Sequence, residues 1–317
     1  MSQDGSSPGL AIASAAPASA PGLRELAGLL GEIGDLKRVH AAHLEDSVAG
    51  GRFASAWAAL VGGADVREVA LRETAAAVTG ARLGAIDARV LATAGVSPAV
   101  GDEVLERAFD AVSGFIAEPL RAELRAVLGD RPAVTGDGVP RWVAALGRQP
   151  RAGATRPGRP RLMLQPEESH AEHCWTVAVG AVLAAPLQDS QIEAPFLCGL
   201  AHHLHNAVLP DAGFAGEALL GSELEPLLAR LTDEALSELS GPLEWQTRGA
   251  LGLCVSAESA PSRAFHAADV LDRVLEMDHH ARTAAFTVEH ALEELELVHE
   301  GPTQAFGFAV LEAAGLR

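Results

Sequence analysis

Apolar residues recur at intervals of three and four along most of the chain, and this spacing constrains the fold more than any other feature. Such spacing gives a helix one apolar stripe with which to pack. The strong helix formers Ala, Leu, Glu and Arg are common, whereas the alternating Val, Ile and Thr pattern of strands is nearly absent and Tyr does not occur. We therefore predict an all-α protein, in which a helical N-terminal region precedes a helical bundle.

Composition divides the chain into four parts. A tail rich in Ala, Ser and Pro covers residues 1–22, and a first run of helices covers residues 23–130. Residues 131–161 hold seven arginines and one acidic residue, Asp137, among many Pro and Gly residues. Residues 162–317 carry helices predicted near 167–185, 191–206, 213–230, 241–257, 261–279, 281–297 and 302–315.

The arginine-rich segment 131–161 has two interpretations. It is a linker that lies against the acidic surface of one domain, or it is a strap that brings Arg156, Arg159 and Arg161 to a small anionic substrate. The helices of residues 23–130 carry no recognisable motif. They could form the dimerisation surface of a homo-oligomer, a lid or a second ligand pocket.

The charge balance excludes several classes of partner. The chain has 24 basic and 42 acidic residues and a formal net charge of -18 at pH 7, which argues against binding a nucleic-acid polymer or an anionic membrane. No apolar run approaches the roughly 20 residues of a membrane-spanning helix. The Ala-rich N-terminus lacks the basic residues that open a signal peptide, and three scattered cysteines fit a reducing compartment. We therefore predict a cytoplasmic location.

Histidines are concentrated late in the chain: of twelve, ten follow residue 169. Three segments place a His or an Asp beside an apolar stripe, and they contain His173, His202 and Asp269. On a continuous helix His202 and His205 would share a face, with His203 rotated by about 100°. An unpaired buried polar group costs a few kcal/mol. A shared metal ion would satisfy the polar groups of all three helices at once.

These segments, in this order, resemble the HD-domain superfamily of metal-dependent phosphohydrolases, and most closely its 5'-deoxynucleotidase-type branch. The family pattern is a single His, then an adjacent His-Asp pair, then a later Asp, each on a separate helix. Here it reads EESHAEHCWTVA at 167–178, LAHH at 200–203 and ADVLD at 268–272, within a resemblance that covers roughly residues 162–300. The resemblance implies an HD-like bundle in which a divalent cation is held by His173, His202, His203 and Asp269.

The resemblance also implies a reaction and residues that assist it. A water activated by the cation would attack a phosphorylated small metabolite or a nucleotide. Asp211 would give a proton to the leaving group, and Asn206 stands where the family has a Glu that orients the water. From its place at a predicted helix start, and apart from the resemblance, His170 either lines the mouth of the pocket and contacts the substrate or is a solvated surface histidine.

Two departures from the family pattern change these expectations. His203 replaces the signature Asp, and three imidazoles with one carboxylate favour Zn, Fe, Mn or Ni over Mg. Asn206 cannot act as a base at neutral pH, which leaves open a catalytically degenerate HD-type scaffold or signalling module. A third alternative is an HD-type iron oxygenase acting on a small metabolite. The additional histidines of such enzymes are missing between residues 206 and 265.

Overall fold

The computed structural model describes residues 20–129, 138–285, 287, 289, 292–293, 298 and 304–315. Within these ranges the regular structure is helical, and the β-pairing consists of two isolated bridges. The prediction of an all-α protein is therefore confirmed. Most of the predicted tail, residues 130–137 of the arginine-rich segment and much of the helix predicted near 281–297 lie outside the described residues.

Fourteen α-helices are present in the described part of the chain. The first seven are α1 (Ala20–Gly34), α2 (Val48–Val61), α3 (Val66–Leu83), α4 (Ala88–Thr93), α5 (Pro98–Asp110), α6 (Glu118–Ala126) and α7 (Arg141–Arg148). The other seven are α8 (His170–Ala184), α9 (Glu193–Ala201), α10 (Gly213–Leu220), α11 (Leu224–Leu236), α12 (Gly241–Leu251), α13 (Ala260–Ala284) and α14 (Gln304–Ala313). None of these helices is long and apolar enough to cross a bilayer.

The chain forms two compact units, Met1–Arg273 and Val274–Arg317. The first unit contains α1 to α12 and the first part of α13, and the second contains the end of α13 and α14. All the predicted site residues belong to the first unit. The domain boundaries predicted at residues 130 and 161 stay predictions.

Helix α8 lies at the centre of the first unit, and every one of its residues is buried. Its start is fixed by a capping box, in which Ser169 accepts from the backbone N–H of Glu172 and the Glu172 carboxylate accepts from the backbone N–H of Ser169. Small residues along α8 let neighbours approach closely. A Cβ at Gly180 would lie 3.2 Å from side-chain carbons of Ala268 and of Leu30. Helices α1 and α13 therefore both pack directly against α8.

Helix α9 packs against α8 by backbone contact at Gly199. A Cβ at this position would lie 2.4 Å from the Cα of Ala178, closer than real Cβ atoms come to another backbone. Only glycine allows this approach. It brings the C-terminal end of α9, and with it His202, next to the first turn of α8 and His173.

Helix α9 ends earlier than the sequence predicts. The helix predicted near 191–206 ends at Ala201, His202 is its C-cap, and a short 3-10 turn follows at Leu204–Ala207. His203 has φ -115° and ψ 22°, outside the geometry of a continuing helix. The expectation that His203 is rotated away from His202 on one helix is therefore wrong, and their rings lie 4.3 Å apart between centroids.

The described part of the arginine-rich segment is anchored by α7. Trp142 on α7 packs edge-to-face against Trp57 on α2, with ring centroids 4.7 Å apart, and its Nε1–H donates to the carbonyl oxygen of Ala235 at 3.0 Å. The chain then runs beside the residues that precede α8, where the backbone N–H of Arg151 donates to the carbonyl oxygen of Glu168 at 2.8 Å. This pairing places Arg151 next to the start of α8.

Candidate metal centre

His173 lies in the first turn of α8 and is fully buried. Its Nδ1 lies 2.7 Å from Oδ2 of Asp272 on α13. Because a carboxylate only accepts, Nδ1 carries the proton of this hydrogen bond and Nε2 can present a lone pair. A carboxylate behind an imidazole in this way fixes the ring orientation and makes Nε2 a better metal ligand.

His202 faces His173 from the end of α9. Its Nδ1–H donates to the carbonyl oxygen of Gly199 at 2.8 Å, which again leaves Nε2 with the lone pair. The Nε2 atoms of the two histidines are 3.1 Å apart. Two nitrogen lone pairs at this distance repel each other unless a proton or a metal cation lies between them.

Asp269 on α13 completes a triangle of donor atoms. Its Oδ1 lies 3.4 Å from Nε2 of His173 and 4.0 Å from Nε2 of His202. Tetrahedral zinc with bonds of about 2.0–2.2 Å holds neighbouring ligand atoms roughly 3.3–3.6 Å apart. The observed separations of 3.1, 3.4 and 4.0 Å lie on either side of this range, so small movements would bring the three donors to one shared ion. The other oxygen of Asp269 faces the exposed side chain of Arg273, at 3.8 Å.

His203 joins the two other imidazoles, and the possible ligand atoms of His173, His202 and His203 all lie within 4.8 Å of one another. Its Nδ1 lies 2.9 Å from Oδ1 of Asn206, whose amide nitrogen donates to the carbonyl oxygen of Leu209 at 3.0 Å. Oδ1 of Asn206 is therefore the acceptor, and Nε2 of His203 is the nitrogen left to bind an ion. All three imidazoles are oriented by an acceptor on Nδ1.

Burial keeps two of these imidazoles neutral. It lowers the pKa of His202 to about 3, with the adjacent His173 as the next cause, and it lowers the pKa of His203 well below its ordinary value. Neutral imidazole is the form that binds metals. Burial alone would raise the pKa of Asp269, but the adjacent His173 side chain holds it below the usual range. The centre thus combines the neutral imidazoles of His202 and His203 with an ionised carboxylate.

A second polar cluster lies behind His173. The Nζ of Lys37, at the end of the 3-10 turn after α1, contacts a carboxylate oxygen of Glu168 and lies 2.8 Å from Oδ1 of Asp272. Arg151 Nη1 lies 3.6 Å from the other oxygen of Glu168. Burial would raise the pKa of Asp272, but the charge of Lys37 holds it well below its usual range. Asp272 therefore stays ionised and accepts from both His173 and Lys37.

His170 is fully buried, and both of its ring nitrogens lack a hydrogen-bond partner. Its Nε2 lies 3.7 Å from a carboxylate oxygen of Asp211, and its ring centroid lies 4.7 Å from that of His203. Burial, followed by the charge of Arg151, lowers the pKa of His170 to about 2. Nη1 of Arg151 is also buried without a hydrogen-bond partner. Unpaired polar groups of this kind commonly mark a bound water or ion.

The structure places the other predicted residues in different surroundings. Asp211 accepts from the backbone N–H groups of Ala152 and Gly213, at 2.9 and 2.7 Å, and so holds the loop before α10. Arg161 donates to the carbonyl oxygen of Ala212 at 3.0 Å, while Arg156 and Arg159 are exposed. The arginine that lies beside the histidine cluster is Arg151, which is not among the three predicted arginines.

Several residues of the cluster were missed because they come from the first third of the chain or from loops. Lys37 is the single lysine of the sequence, and Ser47 on the N-terminal side of α2 donates to the Glu172 carboxylate. Glu73 on α3 accepts from Nε1 of Trp175 at 2.9 Å. The one sequence signal was that Lys37 is the single lysine among the 24 basic residues of the chain.

Comparison of the chain with protein-family models, with curated proteins and with solved structures gave no significant match. The structural result is therefore an all-α protein with a buried cluster of His, Asp and Glu side chains that could hold a metal ion.

Proposed function

We propose that this protein is a divergent HD-type metal-dependent hydrolase acting on a phosphorylated small metabolite or nucleotide. The observation that carries the proposal is the common orientation of three imidazoles. His173, His202 and His203 each donate from Nδ1 to an acceptor of the protein, which leaves a lone pair on each Nε2, and one ligand atom of each ring lies within 4.8 Å of the others. Three tautomers fixed in this way are typical of a metal site and are not required by a purely structural core.

The donor set favours a borderline metal. Three imidazoles and the Asp269 carboxylate suit Zn, Fe, Mn or Ni better than Mg, which prefers oxygen ligands. The donor triangle of His173, His202 and Asp269 has edges of 3.1, 3.4 and 4.0 Å, in keeping with one ion. When bound, such a cation supplies a water nucleophile of lowered pKa and positive charge for phosphoryl oxygens.

His170 and Arg151 are the residues we assign to the anionic substrate. Both have buried nitrogen atoms without a hydrogen-bond partner, and the His170 ring lies beside that of His203. A phosphoryl oxygen that accepts from Nη1 of Arg151 would pair a buried donor that has no hydrogen-bond partner in the protein. Asp211, with a carboxylate oxygen 3.7 Å from Nε2 of His170, is the group we assign to pass a proton to a leaving oxygen.

In the proposed hydrolase, Asn206 does not take the role of the water-orienting Glu that HD-type enzymes have at the matching position. Its side-chain oxygen accepts from His203 and its side-chain nitrogen donates to Leu209, so both ends of the amide are engaged. Asn206 therefore positions His203 and does not orient a water. Without a basic residue at this position, we expect slow hydrolysis, and the same observation favours a catalytically degenerate HD-type scaffold as the second candidate.

The test begins with the metal content of the purified protein and continues with phosphate release from a panel of nucleotides and sugar phosphates. We expect bound metal, phosphate release that a chelator abolishes, and about 2.7 kcal/mol of added stability at a metal concentration 100 times the dissociation constant. His202→Ala should remove all three. His43→Ala, on an exposed histidine, is the matched control and should leave them unchanged.

The alternatives give different results in the same experiment. Metal-linked stability without phosphate release from any compound would favour the scaffold. Bound iron with oxygen consumption would favour the oxygenase. A protein that holds no metal, and whose melting temperature ignores both chelator and added ions, would exclude the metal centre itself.

A further inference from the structure

Lys37 is the single lysine of the chain, whose other basic residues are arginines. It is buried, with 5 % of its surface exposed. Its ammonium group contacts Glu168 and Asp272, both of which are themselves nearly buried. Burying an ammonium group costs several kcal/mol unless opposite charge surrounds it. The position therefore has a strong requirement for one positive charge.

The residues around Lys37 also form a cluster of the kind that binds metal. Donor atoms of Glu168, His173 and Asp272 all lie within 4.8 Å of one another. This second group shares His173 with the cluster of His173, His202 and His203. Two carboxylates at this distance in a buried site repel each other unless a cation lies between them. In this structure the Nζ of Lys37 contacts both of them.

We propose that Lys37 takes the place of a second metal ion, so that the chain binds one metal ion and not two. The charges of four neighbouring groups support this assignment. Glu168 and Asp272 carry two negative charges, and Lys37 and Arg151 carry two positive charges. A divalent cation added beside Lys37 and Arg151 would be repelled by both, whereas removal of the ammonium group leaves Asp272 and Glu168 with the space of a lysine side chain.

The tethered ammonium group has a consequence for the first site. Asp272 accepts from Lys37 with Oδ1 and from His173 with Oδ2, so Lys37 holds the carboxylate that orients the His173 ring. A free metal ion in the same place would exchange with solution and compete for the His173 imidazole. A lysine does neither, and His173 keeps Nε2 for a single ion. Lys37 is thus a positioning residue.

The inference shares one residue, His173, with the proposed metal site and rests on the proposed function in that respect alone. The experiment therefore tests the inference in a variant whose first metal site is disabled. In the variant His202→Ala, Asp269→Asn the first site is disabled, and we expect no bound Mn²⁺ by calorimetric titration and elemental analysis. Adding Lys37→Ala should raise the stoichiometry from zero to one ion per chain. Adding Asp272→Asn as well should return it to zero.

A folded Lys37→Ala variant in this background that binds no Mn²⁺ would overturn the inference, whatever the wild type binds. Should the variant unfold, Mn²⁺ should restore its helical circular dichroism, and the variant that also carries Asp272→Asn should not respond. Failure of Mn²⁺ to restore the fold would equally overturn it. A wild type that binds no metal, beside a Lys37→Ala variant that binds one ion, would instead refute only the proposed function.

Discussion

Replacing Asp272 by Asn tests whether a buried carboxylate prepares His173 for metal binding. Asp272 accepts from Nδ1 of His173 at 2.7 Å and from Nζ of Lys37 at 2.8 Å. An asparagine has nearly the same shape but no charge and a single acceptor oxygen, so it cannot serve both donors. Loss of such a supporting carboxylate typically weakens metal affinity by about 10- to 100-fold, or roughly 1.4 to 2.7 kcal/mol.

The same substitution should also destabilise the fold. Removing one partner of a buried ion pair costs about 3 to 5 kcal/mol, because the other charge stays buried. Glu168 remains in contact with Lys37, so we expect the lower end of this range, about 3 kcal/mol. For a unit of this size that loss corresponds to a fall of roughly 6 to 12 °C in the melting temperature.

Affinity is measured by competition with a chromogenic zinc chelator at a temperature where wild type and Asp272→Asn are both folded, and stability by denaturant unfolding without metal. Asp233→Asn is the matched control, because Asp233 pairs with Arg248 on the surface and its side chain is 60 % exposed. We expect the control to leave both quantities unchanged. Wild-type metal affinity in Asp272→Asn would refute the role of the carboxylate, even if stability falls as expected.

Three further predictions follow from contacts around the cluster. Gly199→Ala should destabilise the protein by about 3 kcal/mol in denaturant unfolding and weaken metal binding, because its Cβ would press α9 away from α8. Glu73→Ala should cost about 1 to 3 kcal/mol in the same assay, since it leaves the buried Nε1–H of Trp175 unpaired; an unchanged midpoint would contradict this. Glutathione disulfide should oxidise Cys198 and Cys254 to a disulfide, because their sulfur atoms are 3.4 Å apart and the Cys198 thiol lowers the pKa of Cys254. The intact mass of the protein should then fall by two hydrogens, and the mass of Cys254→Ser should not.

Local sequence pattern was sufficient for the fold class. The apolar spacing that predicted helices is a property of neighbouring residues, and a helix such as α3 begins where Asp65 caps it by accepting from two backbone N–H groups. Helix ends were harder to predict. Nothing in the segment LAHHLHN indicates that α9 stops at Ala201, and the close approach of Gly199 to α8 is a tertiary contact that the local sequence does not show.

The candidate site was predicted in part, for an equally physical reason. His173, His202 and Asp269 were singled out because each is a polar residue beside an apolar stripe, and the structure places their donor atoms 3.1 to 4.0 Å apart. Lys37 and Arg151 do not lie beside an apolar stripe in the sequence. A lysine in a short turn has the sequence pattern of an exposed residue, and only the fold brings it against two carboxylates from later in the chain.

The part of the chain before residue 130 therefore contributes side chains that support the histidine cluster. Residues of this region supply the ammonium group beside Asp272, the Ser47 hydroxyl that donates to Glu172, and the Glu73 carboxylate that accepts from Trp175. Every residue of α8 is buried, and part of that burial comes from α1, α2 and α3. A segment that begins at residue 162 would expose an apolar helix and leave the buried Asp272 without its ammonium partner. The histidine cluster is consequently a property of the first unit as a whole and not of the histidine-rich segments alone.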